Sequence, residues 1–193
     1  ASVVSGIGKG MKWISSINLS LAAILTISAL LLGPTLFLIE NFVESLGVWL
    51  ANFFSMSFDV GAYAGAEGSE WYSSWTLFYW GWWIAWAPFV GIFIARVSRG
   101  RTIREFIIGV MLVPTLVGML WFGVLGGSGI YRQMFGEADL VTNGEVSPEG
   151  SLFTVLGDLP FGTVFSIVGV LLVVLFFITS SDSGSLVQNM LTA

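Results

Sequence analysis

Residues 71–95 read WYSSWTLFYWGWWIAWAPFVGIFIA, 25 consecutive positions without a charged side chain, closed by Glu70 before and Arg96 after. A helix rises about 1.5 Å per residue, and roughly 20 apolar residues cross a hydrocarbon core of about 30 Å. The run is long enough to span a bilayer, where backbone hydrogen bonding forces a lone segment to be helical. Three further charge-free runs, 13–39, 106–131 and 159–181, are 27, 26 and 23 residues long. The whole chain of 193 residues agrees, being 55% hydrophobic and 10% charged with a mean hydropathy of +0.88. Soluble domains carry about 25% charged residues. A soluble four-helix core would also need a polar face on each helix, which these runs lack.

The charges between the runs set an orientation. Lys9 and Lys12 precede the first, and Arg96, Arg99, Arg101 and Arg104 lie between the second and third. The other two connections carry Glu40, Glu44, Asp59, Glu67 and Glu70, then Glu137, Asp139, Glu145, Glu149 and Asp158, with Arg132 the only basic residue. Six of the seven Lys and Arg residues fall on one side, which the positive-inside rule assigns to the cytoplasm. Both ends of the chain are then cytoplasmic and the acidic connections face outward.

In the first outer connection Phe42, Leu46, Trp49, Leu50 and Phe53 recur at helical spacing, with Glu40, Glu44 and Asn52 elsewhere. That pattern predicts an amphipathic helix lying in the interface plane. The second, from about Gly126 to Asp158, is Gly-rich, and Asn143-Gly144 and Ser147-Pro148 mark turns, so a partly irregular connection is expected. The segments expected are 1–40, a cytoplasmic lead-in and first span; 41–70, the interfacial helix and a linker; 71–95, the aromatic span; 96–105, an Arg-rich cytoplasmic loop; 106–131, the third span; 132–158, an outer loop; and 159–193, the fourth span.

On a helical wheel of about 100° per residue, Trp75, Tyr79, Trp82, Trp83, Trp86 and Phe89 share an arc of roughly 120°, and Trp80 points away. An interfacial aromatic belt accounts for Trp71, Tyr72 and Trp75 but not for Trp82, Trp83 and Trp86, near the middle of the run. Helix packing in membranes normally uses small residues. Indoles at mid-depth suit a cavity, and several aromatic faces around a point attract a cation, at about 2 kcal/mol or more each when desolvated. The span holds no carboxylate, which favours a permanently alkylated ammonium. Pro88 removes a backbone bond to Ile84, so a kink is expected there, and interrupted helices at mid-membrane are where transporters place substrate and ions.

The last run ends in Thr179, Ser180, Ser181, Asp182, Ser183 and Ser185. Hydroxyls and freed carbonyls are oxygen ligands for a hard cation such as sodium; equally, Ser and Thr bond back to their own helix. Both readings stay open on the residues alone. Asp182 with Ser183 as a membrane-embedded enzyme pair is a distant alternative. The chain has no His and no Cys, which removes the commonest general base, metal ligand and proton switch. A net charge of −5 with no basic stripe argues against nucleic acid. Ala1 in place of an initiator Met, with no signal peptide or lipidation motif, reads as an internal piece of a longer chain.

Residues 75–91 together with 93–106, a Trp-rich segment followed by Pro88 and the Arg96, Arg99, Arg101, Arg104 turn, resemble the signature of the betaine/choline/carnitine transporter family. Residues 176–183 are similar to a sodium-site segment of that family, and the resemblance extends over essentially the whole chain. It implies an all-α membrane protein with a LeuT-like inverted-repeat fold, of which this chain would supply the seventh to tenth of twelve helices: four transmembrane helices plus one interfacial helix. It implies substrate contacts at Trp82, Trp83 and Trp86, with Tyr79 and Phe89 on the same face and Phe89 near one sodium. Thr179, Ser180 and the Phe176 carbonyl would hold another sodium. The function implied is Na+-coupled symport of glycine betaine or a similar quaternary-ammonium solute, by alternating access, in the inner (plasma) membrane. A proton- or exchange-coupled choline or carnitine transporter is the alternative within the family. No cofactor beyond the coupling Na+ is implied, and the partners are solute, ion, lipid bilayer and further copies in a homotrimer. The missing helices would carry the rest of the aromatic box, so this segment alone is not expected to transport.

Overall fold

The computed structural model describes residues 7–136, 140–142 and 145–192. Its first helix, α1 (Ile7–Leu32), stops where Gly33 and Pro34 follow. Proline lacks an N–H and disfavours a helical residue before it. The corner satisfies its own backbone: Gly33 N–H donates to the Ala29 carbonyl at 3.0 Å, and Thr35 Oγ1 donates to the Leu30 carbonyl at 2.7 Å. Helix α2 (Thr35–Phe58) begins at once. The boundary expected at 40–41 therefore lies at Gly33–Pro34, because a proline corner outranks the continuity of an apolar run.

Helix α3 (Gly65–Tyr72) passes through a π-helical turn, Ser73–Leu77, into α4 (Phe78–Val97), which carries the aromatic residues. Pro88 sits inside α4, and the helix runs through it without a break. The departures from α-helical hydrogen bonding fall elsewhere. The rod over the third charge-free run, the third rod, is α5 (Ile103–Ile107), a π turn Ile108–Leu112, α6 (Val113–Trp121), a second π turn Phe122–Gly126 and α7 (Gly127–Phe135). A capping box starts it: Thr102 Oγ1 accepts from the Glu105 N–H, and the Glu105 carboxylate accepts from the Thr102 N–H at 2.9 Å. The first of its π turns ends two residues before Pro114, whose ring crowds the carbonyl one turn back.

The described residues of the second outer connection include two short strands and a helix. The third helical rod continues to Phe135, and β1 (Val141–Thr142) pairs antiparallel with β2 (Glu145–Val146). Helix α8 (Pro148–Gly157) then starts with Ser147 Oγ accepting from the Gly150 N–H at 3.2 Å. The turn expected at Asn143-Gly144, and the acidic pair Glu137 and Asp139, lie outside the described residues. Helix α9 (Gly162–Thr192) follows.

Among the described residues five helical segments are long and apolar enough to cross a membrane: 12–32, 35–58, 68–97, 103–135 and 162–189. Four were expected, with the stretch now occupied by α2 read as interfacial. The packed core joins Leu25 and Ala29 of α1, Leu38 of α2, Val124 and Leu125 of the second rod-three π turn, Leu156 of α8, Leu159, and Leu172 of α9. Glycine lets α2 and the third rod meet closely: a Cβ on Gly123 would lie 2.6 Å from the Phe42 ring, and one on Gly127 would lie 3.0 Å from Leu38. Arg132 of α7 pairs with Asp158 at the end of α8, tying the outer connection to the bundle. Helix α4 stands apart from this core; none of its residues is buried, and its main partner is α9.

Candidate functional site

The aromatic side chains of α4 form two ladders rather than one continuous wall. Trp75 and Tyr79 stack with centroids 6.1 Å apart and planes 10° from parallel, and Trp82 follows Tyr79 at 5.9 Å. Trp83 and Trp86 make a separate T-shaped pair at 5.7 Å and 63°. Trp75, set aside in the sequence as interfacial, joins the first ladder by stacking on Tyr79, four residues on, where the helical wheel already places both on one face. Trp83 is 57% exposed and Trp86 42%, so their faces are free of the packed core.

The residues expected to bind are only partly brought together. Trp82 lines an open recess with Leu77, Phe78 and Gly81. Trp86 and Phe89 line a different cavity, of about 680 Å³, shared with Thr179, Ser180 and Ser183 of α9 and with Ser15 of α1. Phe89 reaches α9 where it has no side chain: a Cβ on Gly184 would lie 3.8 Å from the Phe89 ring. Trp83 and Tyr79 line neither space. The aromatic face and the hydroxyl cluster, read separately in the sequence, therefore meet in one cavity through Trp86 and Phe89.

Within α9, Thr179 Oγ1 donates to the Phe176 carbonyl at 2.9 Å and to the Leu175 carbonyl at 3.1 Å. Ser183 Oγ donates to the Thr179 carbonyl at 2.8 Å. Thr179 and Ser183 thus bond back to their own helix. A hydroxyl that gives its proton to a carbonyl still presents two lone pairs, and a carbonyl that accepts one bond keeps a second. Thr179, Ser180 and the Phe176 carbonyl remain able to offer oxygen to a hard cation. The Ser183 proton is given to the Thr179 carbonyl, so this hydroxyl serves as a helix back-bond here. Among the described residues no three His, Cys, Asp or Glu side chains gather as a metal site.

The sequence matches the family of betaine/carnitine/choline transporters over residues 1–193. The chain belongs to that family. It is 51% identical over all 193 of its residues to an uncharacterized transporter of Mycobacterium tuberculosis, covering 32% of that protein. It is 45% identical over 192 residues to the glycine betaine transporter OpuD of Bacillus subtilis, covering 37% of it. To a glycine betaine/proline/choline transporter of Vibrio parahaemolyticus it is 44% identical over 194 aligned positions, covering 34% of it. The chain thus spans about a third of the length of the curated relatives it matches. Membership in this family agrees with the several membrane-spanning helices of the described residues.

Ser15 and Gly184 are cavity residues that the sequence reading missed. Ser15 sits in a run whose other signals are apolar, and its only hint was polarity at helical spacing with Asn18. Gly184 was passed over because a glycine among serines carries no chemistry of its own.

Proposed function

We propose that the whole protein is a secondary transporter of a quaternary-ammonium solute, glycine betaine being the representative, driven by sodium and working by alternating access. In this reading α4 supplies one wall of the solute site, through Trp82, Trp83 and Trp86, with Tyr79 and Phe89 on the same face. Thr179, Ser180 and the Phe176 carbonyl hold a sodium that is cargo rather than cofactor. The observation that carries the reading is the shared cavity, in which Trp86 and Phe89 stand against the hydroxyls of α9. An aromatic surface without carboxylates suits an alkylated cation, and an oxygen cluster alongside it suits sodium. The names of the Bacillus and Vibrio relatives support betaine, and the latter extends the class to choline and proline.

The architecture proposed with it is LeuT-like, with α2 lying along the outer interface between two repeats. Charge supports that placement. Were α2 to cross the bilayer, the turn holding Arg96, Arg99, Arg101 and Arg104 would face away from Lys12; with α2 at the interface, all remain on the cytoplasmic side. The test is uptake by the full-length protein in proteoliposomes. An inward sodium gradient at constant pH should drive radiolabelled betaine inward, and collapse of that gradient should abolish accumulation. Accumulation that follows a proton gradient and ignores sodium would refute the coupling, and absence of betaine uptake under both gradients would refute the substrate.

A further inference from the structure

Asn18 of α1 is 3% exposed, and its Oδ1 is buried with no hydrogen-bond partner. Burial inside this chain persists in a longer one, since added helices cover surface and never uncover it. A buried acceptor left unpaired is costly, and native structures rarely carry one without a use. The face of α1 to which Asn18 belongs is otherwise built of Ala22, Leu25 and Ala29, any of which types would fill the position without that cost.

Register puts Asn18 against the hydroxyl cluster. Leu25 and Leu172 belong to one core cluster, and Ser15 shares a cavity with Ser183, so α1 and α9 run antiparallel. Going from the first pair to the second, Asn18 falls level with Thr179. At about 100° per residue, Thr179 lies on the same face of α9 as the buried Leu172 and Val187. Both side chains therefore stand in the α1–α9 seam at one height.

We propose that Asn18 is a positioning residue for the ion site: its Oδ1 is an alternative acceptor for the Thr179 hydroxyl. In the described state Thr179 Oγ1 gives its proton to the Phe176 and Leu175 carbonyls. Rotation of that hydroxyl to donate to Asn18 Oδ1 releases the Phe176 carbonyl oxygen toward a cation and turns the Thr179 lone pairs into the cavity. The bound ion then favours the rotated state, and Asn18 sets how readily the site accepts sodium. This inference rests on the sodium-coupling reading above.

The experiment is the sodium dependence of betaine uptake by the full-length protein in proteoliposomes, for wild type, Asn18→Leu and Asn18→Asp. Asn18→Leu should raise the half-saturating sodium concentration about tenfold, with the betaine KM at saturating sodium within twofold of wild type. Asn18→Asp retains the acceptor and should keep or lower the half-saturating value. A sodium-dependent wild type whose sodium dependence is unchanged in Asn18→Leu overturns the inference and leaves the coupling intact. Should Asn18→Leu fail to insert, a several-fold loss of sodium affinity in Asn18→Asp overturns it as well. A wild type indifferent to sodium sinks the coupling and this inference together, and is a separate result.

Discussion

Replacing Trp83 by Leu removes a π face while keeping an apolar side chain. Within this chain the Trp83 ring packs against Trp86 and not against the core cluster, so the variant removes no core contact made by these helices. A cation over an indole face in a desolvated site gains about 2 kcal/mol. At about 1.4 kcal/mol per factor of ten, that loss raises the betaine KM roughly 30-fold. The interaction acts on the bound solute before and during transport, so kcat should change little. Uptake kinetics of the full-length protein in proteoliposomes measure both. Competition by 3,3-dimethylbutanoate, the uncharged-headgroup isostere of betaine, separates charge from shape. Wild type should prefer betaine over the isostere by at least that factor, and Trp83→Leu should reduce the preference by about that factor. A KM change under about threefold, or equal losses for betaine and the isostere, would refute the cation argument and leave Trp83 as apolar lining.

Three further outcomes concern the scaffold, each read as thermal stability of the purified full-length protein. Gly123→Val should destabilise by about 1–3 kcal/mol, because its Cβ meets the Phe42 ring at 2.6 Å where α2 and the third rod touch; unchanged stability would mean that this approach is loose. Asp158→Asn leaves Arg132, whose side chain is 12% exposed, without that counter-charge, and should cost about 1–2 kcal/mol, between surface and buried pairs. Gly61 has φ of +71° and its Cβ would run into the Tyr72 ring, so Gly61→Ala should cost about 1–2 kcal/mol from the backbone conformation alone. In the same turn the Gly61 N–H, and secondarily the Tyr72 hydroxyl, hold the Asp59 carboxyl below its ordinary range. That contribution is present above the ordinary carboxylate pKa and is lost as pH falls through the lowered folded value.

The spans were legible because charge is so costly in lipid that its absence over more than 20 residues carries the assignment alone. Thr35 was assigned to the wrong helix because Gly33 and Pro34 lie inside such a run, and hydropathy does not register a corner. The π turns were illegible: Ser73–Leu77 and Phe122–Gly126 contain ordinary residues, and nothing in their composition marks an extra residue per turn. The types of residue at the candidate site were readable, since tryptophan at mid-depth and clustered hydroxyls are unusual. Their meeting across α4 and α9 was not, because no pattern within either helix encodes which face the other presents. Asn18 was equally silent: its burial depends on α9, more than 140 positions later in the chain.

The central claim is that one face of α4, and not its tryptophan content, forms the solute site. Intrinsic tryptophan fluorescence of the full-length protein, titrated with glycine betaine, tests it most directly when wild type, Trp83→Leu and Trp80→Leu are compared. Saturable betaine-dependent quenching should appear in wild type, survive in Trp80→Leu and be abolished or shifted to far higher concentration in Trp83→Leu. Quenching that survives intact in Trp83→Leu, or that is lost in Trp80→Leu, would contradict the account.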